Sequence, residues 1–481
     1  MLCFLLQAAP TLPGGLRRPT VHSRLYTHFQ LVPPPDSLSL PVTDSLACAL
    51  WPLRRVAPSM QAFFARRDDN RFLVWGGDKA VIAVSPIAGA AMEGDEDEQA
   101  LFLLYGTEVD VAWGSRLSMW GRWWYGFYSG DLPWADKHSP LVTGWHKRDP
   151  ELLELDDLEA WMVAASDWGD FALGRGRFQV GNGVSGSIIL SRAVGNYGWA
   201  SWELDAGPVS LSLVHASLLP AGRDTLYSEK RLDEKYLMLH RLDIEPTDNL
   251  SIFAGETIVY GGRAPDVSYL LPHTFLRIVE HKLHDRDNVA IFAGFEWRSL
   301  SWLTLYGQGY LDELRIAEIM GDWWGNKYAV QGGVVFCAPT FAGGVPRLTL
   351  EGVAIRPWLY THNSQLGSYT HEGEGLGYPL GANLIAYTAE ANLPLPARLS
   401  LDAAVTFVQQ GSVGYDPATN YDARPSNAAG WLEGDVTDTL YLKGAITWLP
   451  LAHHSVKLAA THTERDSGSQ TNWFVSWQTR Y

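Results

Sequence analysis

The 481-residue sequence has no run of about 18 apolar residues, the length a helix needs to cross a bilayer. That excludes a membrane-spanning helix. It does not exclude a membrane-spanning β-barrel, whose strands alternate lipid-facing and lumen-facing side chains and so average to near-neutral hydropathy. The mean hydropathy of −0.09 fits that case as well as an aqueous one. Cysteine is scarce: Cys3, Cys48 and Cys337 have no zinc-site spacing and are too few for a disulfide framework. Basic charge is short as well, with 37 Lys and Arg against 53 Asp and Glu and a formal net charge of −16. The basic footprint of a nucleic-acid binder is therefore missing. Catalytic signatures are missing too. Gly183-Val-Ser-Gly-Ser187 has its second glycine one place early for a nucleophile elbow. Asp416, Asn420 and Asp422 lack the spacing and central glycine of a calcium loop. No carboxylate pair stands out as a glycosidase pair. The expectation is a protein that is not an enzyme and has no cofactor and no metal site.

What is abundant is aromatic. The 21 Trp and 20 Tyr are a heavy load. Such rings favour places with one apolar and one wet end, as at a membrane interface, and they also stack on sugar rings.

The first 75 residues differ from the rest. The apolar stretch Met1–Ala9 resembles the centre of an export signal without the basic residues that precede one, so residues 1–24 read as a truncated signal and tail. Residues 25–75 read as a helical, periplasmic segment, with a stiff Pro33-Pro34-Pro35 spacer and helical pieces at 43–67 broken by Pro52 and Pro58. Residues 78–481 read as an outer-membrane β-barrel, because the pattern there turns to period two. Leu101, Leu103, Tyr105, Val109, Val111 and Trp113 share one face, while Gly106, Glu108, Asp110 and Ala112 share the other. The same alternation recurs at 289–297, 399–407, 440–448 and 456–461. About eighteen such segments follow Asp78, many of them long enough to cross a bilayer at a tilt. Breaks at Pro246–Asn249, Gly261-Gly262 and Pro450–His453 read as short turns, and 130–149, 363–381 and 411–437 as long loops. The last segment puts Trp473, Val475, Trp477, Thr479 and Tyr481 on one face. A barrel must close to satisfy its edges in lipid, and this strand does so by pairing with the first.

One segment breaks the alternation. Residues 272–284 predict a helix, with Pro272 in its first turn and Phe275, Ile278, Val279 and Leu283 on one face. It is too short to span lipid, so it belongs at a barrel end or inside the lumen. His281 and His284 are three apart on it, but Lys282 and Arg286 crowd the pair, and hydrogen bonding is expected rather than metal binding.

Several polar segments carry a resemblance. They are Gly174-Arg-Gly-Arg-Phe-Gln-Val-Gly-Asn-Gly183, Tyr236-Leu-Met-Leu-His-Arg241, Gly255-Glu-Thr-Ile-Val-Tyr-Gly-Gly262, Glu280-His-Lys-Leu-His-Asp-Arg-Asp-Asn288, Asp322-Trp-Trp-Gly-Asn-Lys327, Arg356-Pro-Trp-Leu-Tyr-Thr-His362 and Tyr369-Thr-His371. In this order, over residues 155 to 410, they resemble the Wzi family of capsule-assembly outer-membrane proteins. The resemblance implies an eighteen-stranded barrel with a helical segment at its periplasmic end. It also implies a lectin-like role in assembling or attaching capsular polysaccharide or exopolysaccharide. The alternative is a porin or solute channel.

A charge in a barrel wall should face the lumen, because Arg or Lys at the bilayer midplane costs roughly 2–4 kcal/mol. Arg175, Arg177, His240, Arg241, Glu256, Glu280, His281, Asp285 and Arg356 are therefore expected as a lumen polar network. Trp323 and Trp324, with Asn326, Lys327, Tyr369 and His371, are the candidate carbohydrate-binding residues, although the two Trp suit a bilayer interface equally. The expected partners are cell-surface polysaccharide, outer-membrane lipid and the barrel-insertion machinery, which reads a terminal aromatic. A monomer in the bacterial outer membrane is expected, and nucleic acid is not a partner.

Overall fold

The computed structural model describes residues 73–76 and 80–480, apart from 115, 140–145, 168, 221–233, 285, 316–317, 319–320 and 452–453. The expected tail, the helical pieces at 43–67, Asp285 and the terminal Tyr481 lie outside the described residues.

Eighteen antiparallel strands form one closed wall. They are β1 (Ala80–Gly94), β2 (Gln99–Trp113), β3 (Leu117–Gly130), β4 (Leu153–Ser166), β5 (Gly169–Gly176), β6 (Tyr197–Asp205), β7 (Val209–Leu218), β8 (Lys235–Thr247) and β9 (Leu250–Gly261). The second half runs β10 (Asn288–Leu300), β11 (Leu303–Glu313), β12 (Lys327–Cys337), β13 (Arg347–Ile355), β14 (Leu384–Leu395), β15 (Leu399–Gly411), β16 (Val436–Leu451), β17 (His454–Arg465) and β18 (Gly468–Arg480). Each strand pairs with the next, and β18 returns to β1 from Ile87↔Arg480 to Gly94↔Trp473. Below that seam, the short strand Leu73–Gly76 pairs with Val81–Val84 of β1.

Alternation decides which way each side chain points. On β15, Leu399, Leu401, Val405 and Phe407 face out, while Asp402 and Thr406 face in. There they meet Asn392, through its side-chain amide, and Thr388, hydroxyl to hydroxyl at 3.0 Å. The outward face carries a belt of exposed apolar residues, among them Leu350, Val405, Leu442, Ile446, Leu458 and Val475. In water such a belt would be unstable; in lipid it is the matching surface. While Tyr105, Trp123 and Tyr387 are exposed elsewhere on the wall, several outward tryptophans gather near one end of the barrel. Trp113, Trp297, Trp302, Trp448 and Trp477 are exposed there, and Trp202 stacks on Phe171 with centroids 5.3 Å apart. This is the girdle expected at a membrane interface.

The two barrel ends differ. At the girdle end the strands are joined by short connections, such as 206–208, 248–249 and 396–398. At the other end lie the described residues of longer segments: 131–139, 146–152, 177–196, 219–220, 234, 262–284, 286–287, 314–315, 318, 321–326, 356–383 and 412–435. The short helix α1 (Leu132–His138) is at this long-loop end, with Asp131 accepting the Trp134 amide as its cap at 2.9 Å.

The helix predicted over 272–284 is present as α2 (Leu276–Lys282), after a 3₁₀ turn at Val267–Leu270. It is shorter than predicted at its start. Its first amide, that of Leu276, bonds to Glu256 on β9 at 2.5 Å, so a wall side chain caps the helix. Glu256 shares the outward parity of Ile252, Ala254 and Ile258. The excursion between β9 and β10 therefore folds down over the outside of the wall, not into the lumen. Leu276, Tyr269, Val279 and Leu283 cover the outward residues Leu213, Met238, Ile258, Tyr260 and Val289. Gly261-Gly262 consequently opens this long excursion rather than a short turn.

Candidate functional site

The lumen at the long-loop end is filled by two loops. Residues 177–196 leave β5 and cross the barrel. Phe178, Val180, Ile188, Ile189, Leu190 and Val194 are buried against inward residues of β4, β6 and β7, among them Trp161, Trp199 and Ala216. The tip of this loop reaches the wall formed by β11, β12 and β13. Gln308 and Gln331 stand opposite each other, Nε2 to Oε1 at 2.6 Å. Gln308 accepts the Asn182 amide at 3.1 Å; Gln331 accepts the Ile188 amide at 3.2 Å and donates to the Gly186 carbonyl at 2.7 Å. Glu351 accepts the amides of Val184 at 2.9 Å and Ser185 at 3.1 Å, the Tyr306 hydroxyl at 2.6 Å and the Ser185 hydroxyl. The tip tolerates no side chain at Gly183, where a Cβ would lie 1.9 Å from the Gly186 carbonyl oxygen.

The second loop, 356–383, locks onto the first. Its Trp358 and Tyr360 have φ of 66° and 74°, a left-handed backbone costing about 1–3 kcal/mol per residue. The surroundings that hold it are specific. The Tyr360 hydroxyl donates to the Ile188 carbonyl at 2.7 Å, the Tyr369 hydroxyl to the Ile189 carbonyl at 2.8 Å, and the Ser191 amide to the Leu376 carbonyl at 2.7 Å. Burial pushes the phenols of Tyr360, Tyr369 and Tyr378 well up, so they remain protonated donors.

At the rim, loops 314–326 and 412–435 clasp each other. The Trp324 amide bonds to the Asn427 carbonyl at 3.1 Å and the Ala429 amide to the Asp322 carbonyl at 2.6 Å. Cations lie on the rings of this clasp. The Arg315 guanidinium sits 4.0 Å from the Trp323 centroid and that of Arg424 4.0 Å from the Trp324 centroid. Lys327 Nζ lies 4.7 Å from the Tyr421 ring and pairs with Glu313 at 3.3 Å. Burial, and then the Asp422 charge, raises the Tyr421 phenol.

Of the carbohydrate candidates, Trp323 and Trp324 are half-buried at this rim. Asn326 and Lys327 are buried beneath them: the Asn326 side chain accepts the Arg315 amide at 3.2 Å and donates to the Glu318 carbonyl at 2.5 Å. Tyr369 and His371 lie inside the plug, each 2% exposed, and His371 Nδ1 accepts the Leu219 amide at 3.1 Å.

The charged set divides, and part of the lumen reading is corrected. Arg177 is buried at the lumen end of β5 and donates to the Val194 carbonyl at 3.1 Å. Arg241 is inward, bonded to Asp243 at 2.7 Å and stacked on Phe253 at 4.1 Å. Arg356 is buried in the loop clasp, donating to the Asn326 and Ala429 carbonyls at 3.2 and 2.8 Å. Arg175, however, has the outward parity of Phe171 and Leu173 and is exposed. His240 and Glu256 oppose each other on the outward face, beneath the excursion, where His240 Nε2 donates to the Tyr269 carbonyl at 3.0 Å. Glu280 is buried on α2 outside the wall, with Arg277 at 3.4 Å, and His281 is exposed there. The physical reason is common to all of them: a covering segment, or the wet rim, removes the need for a charge to face the lumen. Sequence reasoning missed Gln308, Gln331, Glu351, Arg315 and Arg424. Their partners lie in distant loops, and no local pattern marks them.

The profile of the capsule assembly protein Wzi family matches residues 120–464. The chain belongs to this family. Wzi of Escherichia coli, an outer-membrane protein involved in Group 1 capsule assembly and a carbohydrate-binding β-barrel, superimposes with a TM-score of 0.56 at 10% identity, over 83% of this chain and 84% of that one. OprD and OccD3 of Pseudomonas aeruginosa align with TM-scores of 0.45 and 0.44, at 10% and 12% identity, each over 83% of this chain and over 95% and 91% of theirs. No curated protein sequence matches the chain. The chain is thus a capsule-assembly outer-membrane protein of the Wzi family. Its long loops face the cell exterior and its short turns and tryptophan girdle the periplasm.

Proposed function

We propose that this Wzi-family chain holds capsular or related exopolysaccharide at the cell surface as a non-catalytic, lectin-like monomer, with the Arg315–Trp323–Trp324–Arg424 rim as its contact. The observation that carries this reading is the pairing of two rim guanidiniums with two half-buried indoles above a lumen closed by its own loops. Indole faces and edges suit sugar rings, and guanidinium forks suit uronate carboxylates or hydroxyls. Residues Asn326 and Lys327 support the platform from beneath, and Tyr369 and His371 hold the plug that presents it.

A solute channel needs an open path, and the Gln308–Gln331–Glu351 anchor argues against one. Replacing Trp324 with Ala together with Arg424 with Gln is expected to weaken binding of the host's purified capsule about tenfold, from the loss of roughly 1–2 kcal/mol of ring and cation contact. Cell-bound polysaccharide should fall in parallel, at an unchanged level of folded protein in the outer membrane. Unchanged capsule retention in that double variant sinks the rim assignment. Large stepwise conductance of the unaltered protein in planar bilayers sinks the surface-attachment reading itself.

A further inference from the structure

The excursion between β9 and β10 does something the glycan reading does not use. It is an external flap, tied at its root by Arg263, whose guanidinium donates to both Asp287 oxygens at 2.9 and 2.5 Å, and by the Tyr269 hydroxyl on the same carboxylate at 2.7 Å. Its inner side covers Glu256 and His240, as described above. Its outer side is apolar: Val267 is 70% exposed, Phe275 66% and Ile278 59%, and Leu270 and Leu271 are exposed beside them. This surface is continuous with the lipid-facing wall, where Ile252, Ile291 and Leu242 are also exposed.

The charges on the flap are sorted. Glu280 and Asp287 are buried, and Asp266 is turned toward Arg263. Arg277, Lys282 and Arg286, with His273, His281 and His284, are exposed. Among the described flap residues every exposed charge is therefore basic, in a chain of net charge −16. Water alone does not explain five exposed apolar side chains, and hydrocarbon alone does not explain the cations. An amphiphile with acyl chains and an anionic head explains both, since cations near a membrane surface attract anionic headgroups at about 1 kcal/mol each.

We propose that the flap is a binding site for a phosphate-bearing anionic lipid of the outer leaflet, with its acyl chains along Phe275, Ile278, Leu270 and Leu271 and its phosphate on Lys282 and Arg286, while Arg277 stays on Glu280. The site lies on the outside of the wall and shares no residue with the Arg315–Trp323–Trp324–Arg424 rim, so it stands or falls independently of glycan binding.

The test uses the full-length protein in nanodiscs of phosphatidylcholine, with and without phosphatidylglycerol, followed by headgroup-resolved mass spectrometry of the lipid retained after detergent exchange. Retained phosphatidylglycerol and a rise in unfolding temperature are expected for the native chain. In K282Q/R286Q retention should weaken about fivefold per cation removed. In F275S/I278S retention should fall while polysaccharide binding is kept. Heat-modifiable migration on gels verifies that both variants are folded barrels. Two results overturn the proposal. One is equal retention of phosphatidylglycerol by native and variant proteins. The other is a native dimer that F275S/I278S converts to a monomer without any change in retained lipid, which would make the flap a contact between copies.

Discussion

Single residues decide whether this barrel is a wall around a plug or a pore. Glu351 is the clearest case, because one carboxylate receives two plug amides and a wall phenol. Removing an acceptor from buried donors costs about 1–3 kcal/mol for each group left unpaired. Glu351→Ala is therefore expected to free the tip at Val184–Ser185 and to produce intermittent conductance in planar bilayers, where the native protein is expected to be silent. Silence in the variant would mean that the tyrosine contacts of the second loop suffice alone. Nothing in the sequence marks Glu351, which looks like any inward polar residue of an alternating strand. Its partners lie 166 and 167 positions away, and such a pairing exists only once the barrel is closed. The outward charges, expected to face the lumen, had the signal against that expectation in the strand pattern itself. His240 shares its parity with Met238 and Leu242, and Arg175 with Phe171 and Leu173. The same alternation that identified the strands also pointed these charges away from the lumen, and a polar residue on the lipid parity is itself the sign that something covers it.

At the scale of elements, strands were readable and loops were not. Period two is a local property, so the outward and inward faces of β2, β10, β15, β16 and β18 could be assigned residue by residue. The helix at 272–284 was readable as an amphipathic stretch, but an apolar stripe fits the inside and the outside of a wall equally. The plug at 177–196 escaped notice because its apolar run, Ile188-Ile189-Leu190, is too short to signal any element and is buried only against residues far off in sequence. Replacing 180–190 with a short glycine–serine turn should open a steady pathway. The inward wall from β2 to β8 carries Glu108, Asp110, Asp157, Glu159, Asp170, Glu203 and Asp243 against Arg122, Lys235 and Arg241. The opened pore is therefore expected to prefer cations, measured as a reversal-potential shift across a potassium chloride gradient. An anion-selective current would show that another part of the chain dominates the lumen field.

For the whole molecule, the closed count of eighteen strands and the belt of apolar residues set the membrane as solvent. The two faces of one strand should then respond oppositely to the same substitution. Val405→Arg places a cation in the belt and is expected to cost about 2–4 kcal/mol. Ala404→Arg, one position away, faces inward opposite Glu390 and should cost far less. Urea midpoints of the two variants reconstituted in lipid compare them directly, and equal losses would contradict the assigned parity. The strand number was legible because each strand repeats the same signal. Residues that meet at the rim, such as Arg424 and Trp324, were not, since three-dimensional closure alone brings loops from different hairpins together.

The flap also constrains the order of events as the protein enters its membrane. Bare, the outward face of β8 and β9 would present Glu256 and His240 to hydrocarbon, a surface that lipid rejects. With the excursion docked, the carboxylate is spent on the Leu276 amide and the imidazole on the Tyr269 carbonyl. This stretch of wall is acceptable to the bilayer only after its cover is in place. The excursion, 262–287, lies between the two hairpins whose strands it dresses, so it emerges in the chain in time to dock before the barrel is sealed. A surface loop is therefore expected to matter for insertion, and its deletion should appear as protein stalled in the periplasm rather than as a less stable barrel in the membrane.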